Sequence, residues 1–391
     1  MLRRIGLAVG TGLVLAVFLA GCGTKPVVGV VLPTTGEAGT YGESIESGIR
    51  LAINDARDRD QLPAGFDVVW ADTGSNPQTA LAEIKKMVSD RSIHLVVGGA
   101  TSAEAQAIIP ELEDLDVVVL SPSASTPGLA KLSKNFYRIY PSDELEGHTA
   151  AKFLFERFAQ SRVILYAGNS EYTAGIEPEF RKQFEGALGG EVVARIDLAD
   201  PGWPELSSVE LRSTGVEAVY VVGYAPETLG VLEHLKEQGY SGRVITTSAF
   251  YSTRVIREAG ELAEGILFPL PPFDRTSEKE PVLSFVNRYM DTYQRAPDVF
   301  AAHGYDAMLF AIEVMKVASP PQVQEIRRAM AFGVTEFMGV TGPIIFDDYG
   351  DVKHYPKMFI VKDGQVLSYQ RYLKTERARI LREVQDLLIK K

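Results

Sequence analysis

Residues 93–120 read Ile93-His-Leu-Val-Val97-Gly-Gly-Ala-Thr-Ser102-Ala-Glu-Ala-Gln-Ala-Ile-Ile-Pro-Glu-Leu-Glu-Asp-Leu-Asp-Val-Val-Val-Leu120. Ile93–Val97 and Val117–Leu120 are short continuous apolar runs, as expected of strands buried on both faces. Between them Ile108, Ile109 and Leu112 recur at helical spacing, after a turn in which Thr101-x-x-Glu104 has the form of a capping box. Strand, helix and strand in so short a span require a parallel crossover. Upstream, Val27–Leu32 is another apolar run. Ile45, Ile49, Ala52, Ile53 and Ala56 follow it with helical period, and Asn76-Pro77 opens a helix that turns Leu81, Ile84 and Val88 inward.

The alternation resumes beyond Pro141, with helices over Ala150–Phe158, Phe180–Leu188 and Thr228–Gln238. Strands are expected at Val163–Tyr166, Val192–Ile196, Ala218–Val222 and Val244–Thr246. Phe268-Pro-Leu-Pro-Pro272 reads as a crossing segment rather than a core element. Helices over 281–295 and 300–317 follow, then Gly342–Phe346 and a hairpin with Asp363-Gly364 at its tip. In the charged tail, Ile380, Val384, Leu387 and Leu388 are expected to pack on the body. The fold class is α/β, with two doubly wound parallel-sheet lobes and a ligand cleft at the carboxyl ends of their strands.

Composition narrows the functions. The chain has 391 residues, 46% hydrophobic and 23% charged, enough for two cores of ordinary size. A net charge of −11 provides no basic surface for nucleic acid. Five scattered histidines and one cysteine give no metal-ligand spacing and imply no cofactor. No Gly-x-Ser-x-Gly elbow occurs, and neither His148 nor His303 stands in a triad order, so the chain reads as a binding protein and not an enzyme.

At the N-terminus Arg3-Arg4 precedes an apolar run closed by Leu19-Ala20-Gly21-Cys22, the pattern of an export signal. Leu-Ala-Gly-Cys resembles the bacterial lipobox, whose cysteine is diacylated and becomes the first mature residue. That resemblance implies a membrane tether at Cys22 with the body in the periplasm or outside the cell.

The candidate site follows from what stands after each strand. Tyr41-Gly42 ends the first loop. Ser102 lies at the first helical position beside the Thr101 cap, a natural place for an anion. The loop 121–127 carries Ser121, Ser123, Ser125 and Thr126, while Tyr172 and Tyr224 stand at two later strand ends. Hydroxyls on one wall and aromatics on the other suit a small amphipathic anion.

On these marks, with Tyr137-Arg-Ile-Tyr-Pro-Ser-Asp143, Tyr305-Asp306-Ala307 and Thr341-Gly342-Pro, residues 27–373 resemble the leucine/isoleucine/valine-binding proteins, type I periplasmic solute-binding proteins of branched-chain amino acid ABC transporters. The resemblance implies that Ser102 and Ser125 bind a ligand carboxylate, that the Ser123 carbonyl faces its ammonium, and that Tyr41, Tyr172, Tyr224 and Phe300 complete the cleft. It also implies an ABC permease as partner and a monomeric protein.

One departure stands out. The family places a glutamate after the strand matching Val244–Thr246, where this chain reads Thr247-Ser-Ala-Phe250-Tyr251. Asp143 is either the replacement for that acid or a cap for the helix beginning near Gly147. Phe250 is expected to make this wall aromatic. The expected organisation is a signal peptide over 1–21 and a lipidated tether over 22–25. Lobe 1 comprises 26–141 and 270–337, lobe 2 comprises 142–269 and 338–373, and a helical tail covers 374–391. Three crossings near Pro141, Leu270 and 337–340 form the hinge. Delivery of a small amino acid or related carboxylate to a permease is the leading function; a sensing lobe for a separate receptor, or a serine hydrolase, are the alternatives.

Overall fold

The computed structural model describes residues 25–389; the export segment and Cys22 lie outside them. Strands β1 (Val27–Leu32), β2 (Asp67–Asp72), β3 (Leu95–Gly98), β4 (Val118–Ser121) and β5 (Phe136–Arg138) form a parallel sheet in the order β2-β1-β3-β4-β5. Val28, Val30, Val96, Val97, Val118 and Val119 are wholly buried, because helices cover both faces of the sheet. These helices are α1 (Gly39–Asp58), α2 (Pro77–Arg91) and α3 (Ser102–Ile108). The side chain of Asn76 caps α2 by accepting from the amides of Gln78 and Thr79, with Pro77 at the first position.

The second sheet holds β6 (Arg162–Ala167), β7 (Glu191–Asp197), β8 (Ala218–Val222), β9 (Arg243–Thr246) and β10 (Leu267–Leu270), all parallel. Its order is β14-β13-β10-β9-β8-β6-β7, where β13 (Lys357–Lys362) and β14 (Gln365–Ser368) are antiparallel. Asp363 and Gly364 link that hairpin with φ of 53° and 68°, the backbone a type I′ turn needs and Asp-Gly supplies. Strands β11 (Phe337–Gly339) and β12 (Gly342–Ile344) form a separate two-stranded ribbon.

Helices α4 (Asp143–Lys152), α5 (Glu171–Arg181), α6 (Trp203–Thr214), α7 (Ala225–Glu237) and α8 (Thr253–Ala259) belong to the second sheet's run of chain. The next three, α9 (Val282–Tyr293), α10 (Val299–Val317) and α11 (Val323–Arg328), lie beyond β10, and α10 crosses α1. The crossing is close enough that a Cβ on Gly48 would stand 2.0 Å from the Ala301 carbonyl, and one on Gly304 2.3 Å from that of Ile45. Two opposed glycines let the backbones touch, which ties chain beyond residue 270 to the first sheet.

Two expectations need correction. Phe268-Pro-Leu is not merely a crossing: Leu267–Leu270 is a buried strand between β9 and β13. Proline is tolerated at 269 because β9 pairs with β10 only at Leu267, so the missing N–H breaks no pairing with that neighbour. At the base of the tail, α12 (Tyr369–Ile389), Tyr369 packs edge-on to Phe153. Ile380 and Leu381 are about half exposed, so Ile380 does not pack on the body.

Candidate ligand site in the interlobe cleft

The carboxyl ends of both sheets face a cavity lined by Pro33, Tyr41, Ala100, Thr101, Ser102, Ser123, Ser125, Tyr140, Tyr172, Tyr224, Ser248, Ala249 and Phe300. The lobes are closed around it. Tyr41 from α1 donates its hydroxyl to the Ala249 carbonyl (2.6 Å) and accepts from the Ala225 amide (3.1 Å), while Thr126 Oγ1 donates to the Glu171 carbonyl (3.2 Å). Ser102 and Ser125 are buried in this arrangement.

On the first-lobe wall the capping box forms as expected: Thr101 Oγ1 accepts from the Glu104 amide, and Glu104 accepts from the Thr101 amide. Ser102 therefore stands free of the cap. Its Oγ accepts from the Thr126 amide (3.3 Å), which leaves its own proton for the cavity. The hydroxyls of the 121–127 loop have separate tasks. Ser121 Oγ donates to Gly99 O and accepts from Ala124 N, which shapes the turn, and Ser123 Oγ donates to Ala100 O (2.6 Å). Ser125 Oγ donates to Asp143 Oδ2 (3.0 Å). Arg138 holds the loop from beneath: fully buried, it donates to the carbonyls of Ala124 and Thr126 and is bidentate to Asp351. That clamp was not legible in the sequence, because Asp351 lies far along the chain in another segment.

Asp143 is not the helix cap. Ser142 takes that role, with its Oγ accepting from the Glu144 amide, and α4 begins at Asp143 rather than near Gly147. This frees the Asp143 carboxylate to reach Ser125, and its Oδ1 has no partner. One turn later on the same helix face, Glu146 accepts from both the amide (2.6 Å) and the hydroxyl (2.7 Å) of Ser248. Ser248 is the cavity residue just after β9. An acid from α4 thus stands behind the loop where the resemblance implies a glutamate and the chain has none. Glu146 was overlooked because its position in the chain says nothing of the loop it reaches.

Burial raises the Glu146 carboxyl to about 7, and burial with the nearby Glu146 charge raises Asp143 well above the ordinary carboxylate range. The same burial raises Tyr172 and Tyr140, whose hydroxyls have no partner.

The aromatic residues form one continuous wall. Tyr172 stacks on Tyr224 (5.3 Å between centroids), Tyr224 meets Tyr41 (5.9 Å), and Tyr41 meets Phe300 edge-on (5.0 Å). Tyr140, not singled out in the sequence, lies parallel to Phe300 at 6.0 Å. Phe250 is a correction: it is wholly buried against Phe268, and Ser248 and Ala249 form the cavity surface instead. The short 3-10 turn over Ser248–Phe250 presents its first residues and tucks its last one into the core. Neither histidine suggested by a hydrolase reading is paired with a cleft serine. His148 faces Glu179, and His303 Nδ1 bonds the Val299 carbonyl.

Comparison with known proteins agrees with this geometry. The family model described as "Periplasmic binding protein" matches residues 26–364. A leucine-, isoleucine-, valine-, threonine- and alanine-binding protein of Pseudomonas aeruginosa is 28% identical over 330 residues, 83% of this chain and 86% of that one. The branched-chain amino acid transporter substrate-binding protein LivJ of Streptococcus pneumoniae, crystallised with isoleucine, superposes with a TM-score of 0.79 at 25% identity, covering 88% of this chain and 98% of that one. A solute-binding protein of Rhodopseudomonas palustris crystallised with 3,4-dihydroxybenzoic acid shares the fold at a TM-score of 0.77 and 18% identity, over 88% of this chain and 96% of that one. With two parallel-sheet lobes closed on a walled cleft, and a family match that spans both, this chain belongs to the periplasmic binding proteins and is a solute-binding protein.

Proposed function

We propose that the chain captures a small α-amino acid in this cleft and delivers it to an ABC permease. The observation that carries the reading is the polarity of the cavity. Ser102 has a hydroxyl proton to give. Ser125 and Ser248 instead give their protons to buried acids, Asp143 and Glu146, and present oxygen lone pairs to the cavity, so Ser125 departs from the carboxylate role that the resemblance implies. A donor beside two acid-backed acceptors fits the carboxylate and ammonium of a zwitterion, and the ring of Tyr41, Tyr140, Tyr172, Tyr224 and Phe300 suits an apolar side chain. Relatives whose names specify branched-chain amino acids support the class of ligand. An aromatic acid without an ammonium would leave the two acids uncompensated.

The site residues carried into this reading are Tyr41, Ser102, Ser123, Ser125, Asp143, Tyr172, Tyr224 and Phe300, joined by Glu146 and Ser248. The chain works outside the cytoplasm as a monomer held by a lipid on Cys22, a reading supported by the Leu-Ala-Gly-Cys motif. The test is a thermal-shift screen of the full chain against the proteinogenic amino acids and simple carboxylates. A ligand at a hundred times its Kd adds about 2.7 kcal/mol of stability. A shift with an aliphatic amino acid that is lost in Ser102→Ala supports the reading. Shifts with carboxylates lacking an amine, and none with amino acids, would overturn it.

A further inference from the structure

Asp143 and Glu146 place two carboxyl groups one turn apart on the buried face of α4, and neither forms an ion pair among the described residues. Arg138, a guanidinium near Asp143, is already committed to Asp351 and to the carbonyls of Ala124 and Thr126. Tyr140 after β5, Tyr172 of α5 and Tyr220 of β8 face the pair with hydroxyls that have no partner, and Tyr41 and Tyr224 close the cavity beside them. β10 contributes no titratable group, Lys357 of β13 is exposed, and Lys362 pairs with Glu264. Charges on α5 and the turn after it are used elsewhere: Glu177 and Glu185 with Arg181, Glu177 also with Arg195, and Glu179 with Lys182 and His148. Two adjacent buried carboxylates without a cation repel each other and lack solvation, so both cannot remain charged in an empty cleft.

We propose that Asp143 and Glu146 share one proton in the ligand-free protein, that Glu146 is thereby a specificity-determining residue for cationic groups, and that binding an ammonium expels the proton to solvent. The balance is simple. The pair with one proton carries a single negative charge. An ammonium enters, the proton leaves, and the doubly charged pair faces the new cation. No bond other than that O–H breaks.

The serines transmit this state to the cavity. With both acids ionised, Ser125 and Ser248 point their protons away from the cavity, to Asp143 and Glu146, and face the ligand as acceptors. A protonated acid instead donates to its serine, whose own proton then turns toward the cavity. The same two hydroxyls thus accept from an ammonium in one state and repel it in the other. Affinity for an ammonium ligand must fall as pH falls through the titration of the pair.

The proton-release half rests on the amino-acid reading above; the sharing half does not, and the two are measured separately. First, 13C-carboxyl NMR of the ligand-free chain, labelled at Asp and Glu, is followed from about pH 5 to about pH 8. Two coupled carboxyl resonances are expected to titrate in this range. Glu146→Gln should remove one and lower the midpoint of the other, and Asp143→Asn should do the reciprocal. Ionisation of both acids across the range, or a midpoint for one that ignores loss of the other, overturns the shared proton.

Second, calorimetry with L-leucine at about pH 7 in buffers of different ionisation enthalpy should show release of close to one proton per ligand in the wild type and close to none in Glu146→Gln. The variant's affinity should drop about tenfold. Leucine binding without proton release overturns the coupling. If leucine and isoleucine both fail to bind, the amino-acid reading fails instead, and the coupling fails with it, while the NMR titration still decides the pair.

Discussion

Asp306 holds the turn between β11 and β12, and its removal has a cost that follows from the structure. From α10 it accepts from the amides of Val340 (2.8 Å) and Thr341 (2.8 Å) and from the Thr341 hydroxyl (2.6 Å), all in the turn that joins β11 to β12. Asp306 and Thr341 are wholly buried and Val340 nearly so. A buried donor left without its partner costs about 1–3 kcal/mol. Asp306→Ala strands three donors and opens space that water partly refills, so a loss of about 3–5 kcal/mol is expected. Asp306→Asn keeps one acceptor oxygen but sets an amide NH₂ against a backbone N–H; about 1–2 kcal/mol is expected. Urea denaturation of the ligand-free variants, read by circular dichroism, measures both. An Ala variant within about 1 kcal/mol of wild type, or an Asn variant worse than Ala, would refute the view that this carboxylate clasps the turn.

Other expectations follow from particular contacts. Gly48→Ala drives a methyl into the Ala301 carbonyl at the α1–α10 crossing and should cost about 1–3 kcal/mol in the same assay, whereas Gly230→Ala, with open space around it, should not destabilise. Glu146 makes the ligand-free protein less stable as pH rises. Its folded carboxyl titrates near 7 against an ordinary 4.5, so the native state binds the extra proton between these values, and stability falls by up to about 3 kcal/mol across that window. The difference between wild type and Glu146→Gln in urea midpoint against pH isolates this contribution, and parallel curves would discount it. Because Tyr41 and Thr126 bond directly across the cleft, small-angle scattering should show compaction when ligand is added to a ligand-free sample. An unchanged radius of gyration with proven binding would argue against domain closure.

The repeating βαβ order was legible because buried parallel strands such as Val117–Leu120 are unbroken apolar runs and their helices keep a clear period. Edge strand β2, with its apolar residues only partly buried, was not singled out in the sequence. β10 was obscured by Pro269, whose cost depends on where its neighbour ends. Local chemistry was also readable: Asn76-Pro77, Thr101-x-x-Glu104 and Asp363-Gly364 behave in the structure as their residue types require. In the site, residues directly after strands were visible as candidates because topology puts them at the cleft. Tyr140, Arg138 and Glu146 were not, since each acts on a segment distant in sequence. Phe250 misled for the opposite reason: it follows a strand, but a 3-10 turn rotates its ring into the core.

The central claim is that one cleft holds a carboxylate at Ser102 and an ammonium at the acid-backed serines. Isothermal titration of the wild-type chain with L-leucine, 4-methylpentanoate and 3-methylbutylamine tests it most directly, because the three share a side chain and differ only in which charged group is present. Losing either charge removes charge-assisted hydrogen bonds of about 1.5–3 kcal/mol each, so both analogues should bind at least about a hundredfold more weakly than leucine. Binding of 4-methylpentanoate as tight as that of leucine would contradict the account, for it would show that Asp143 and Glu146 do not face a ligand cation.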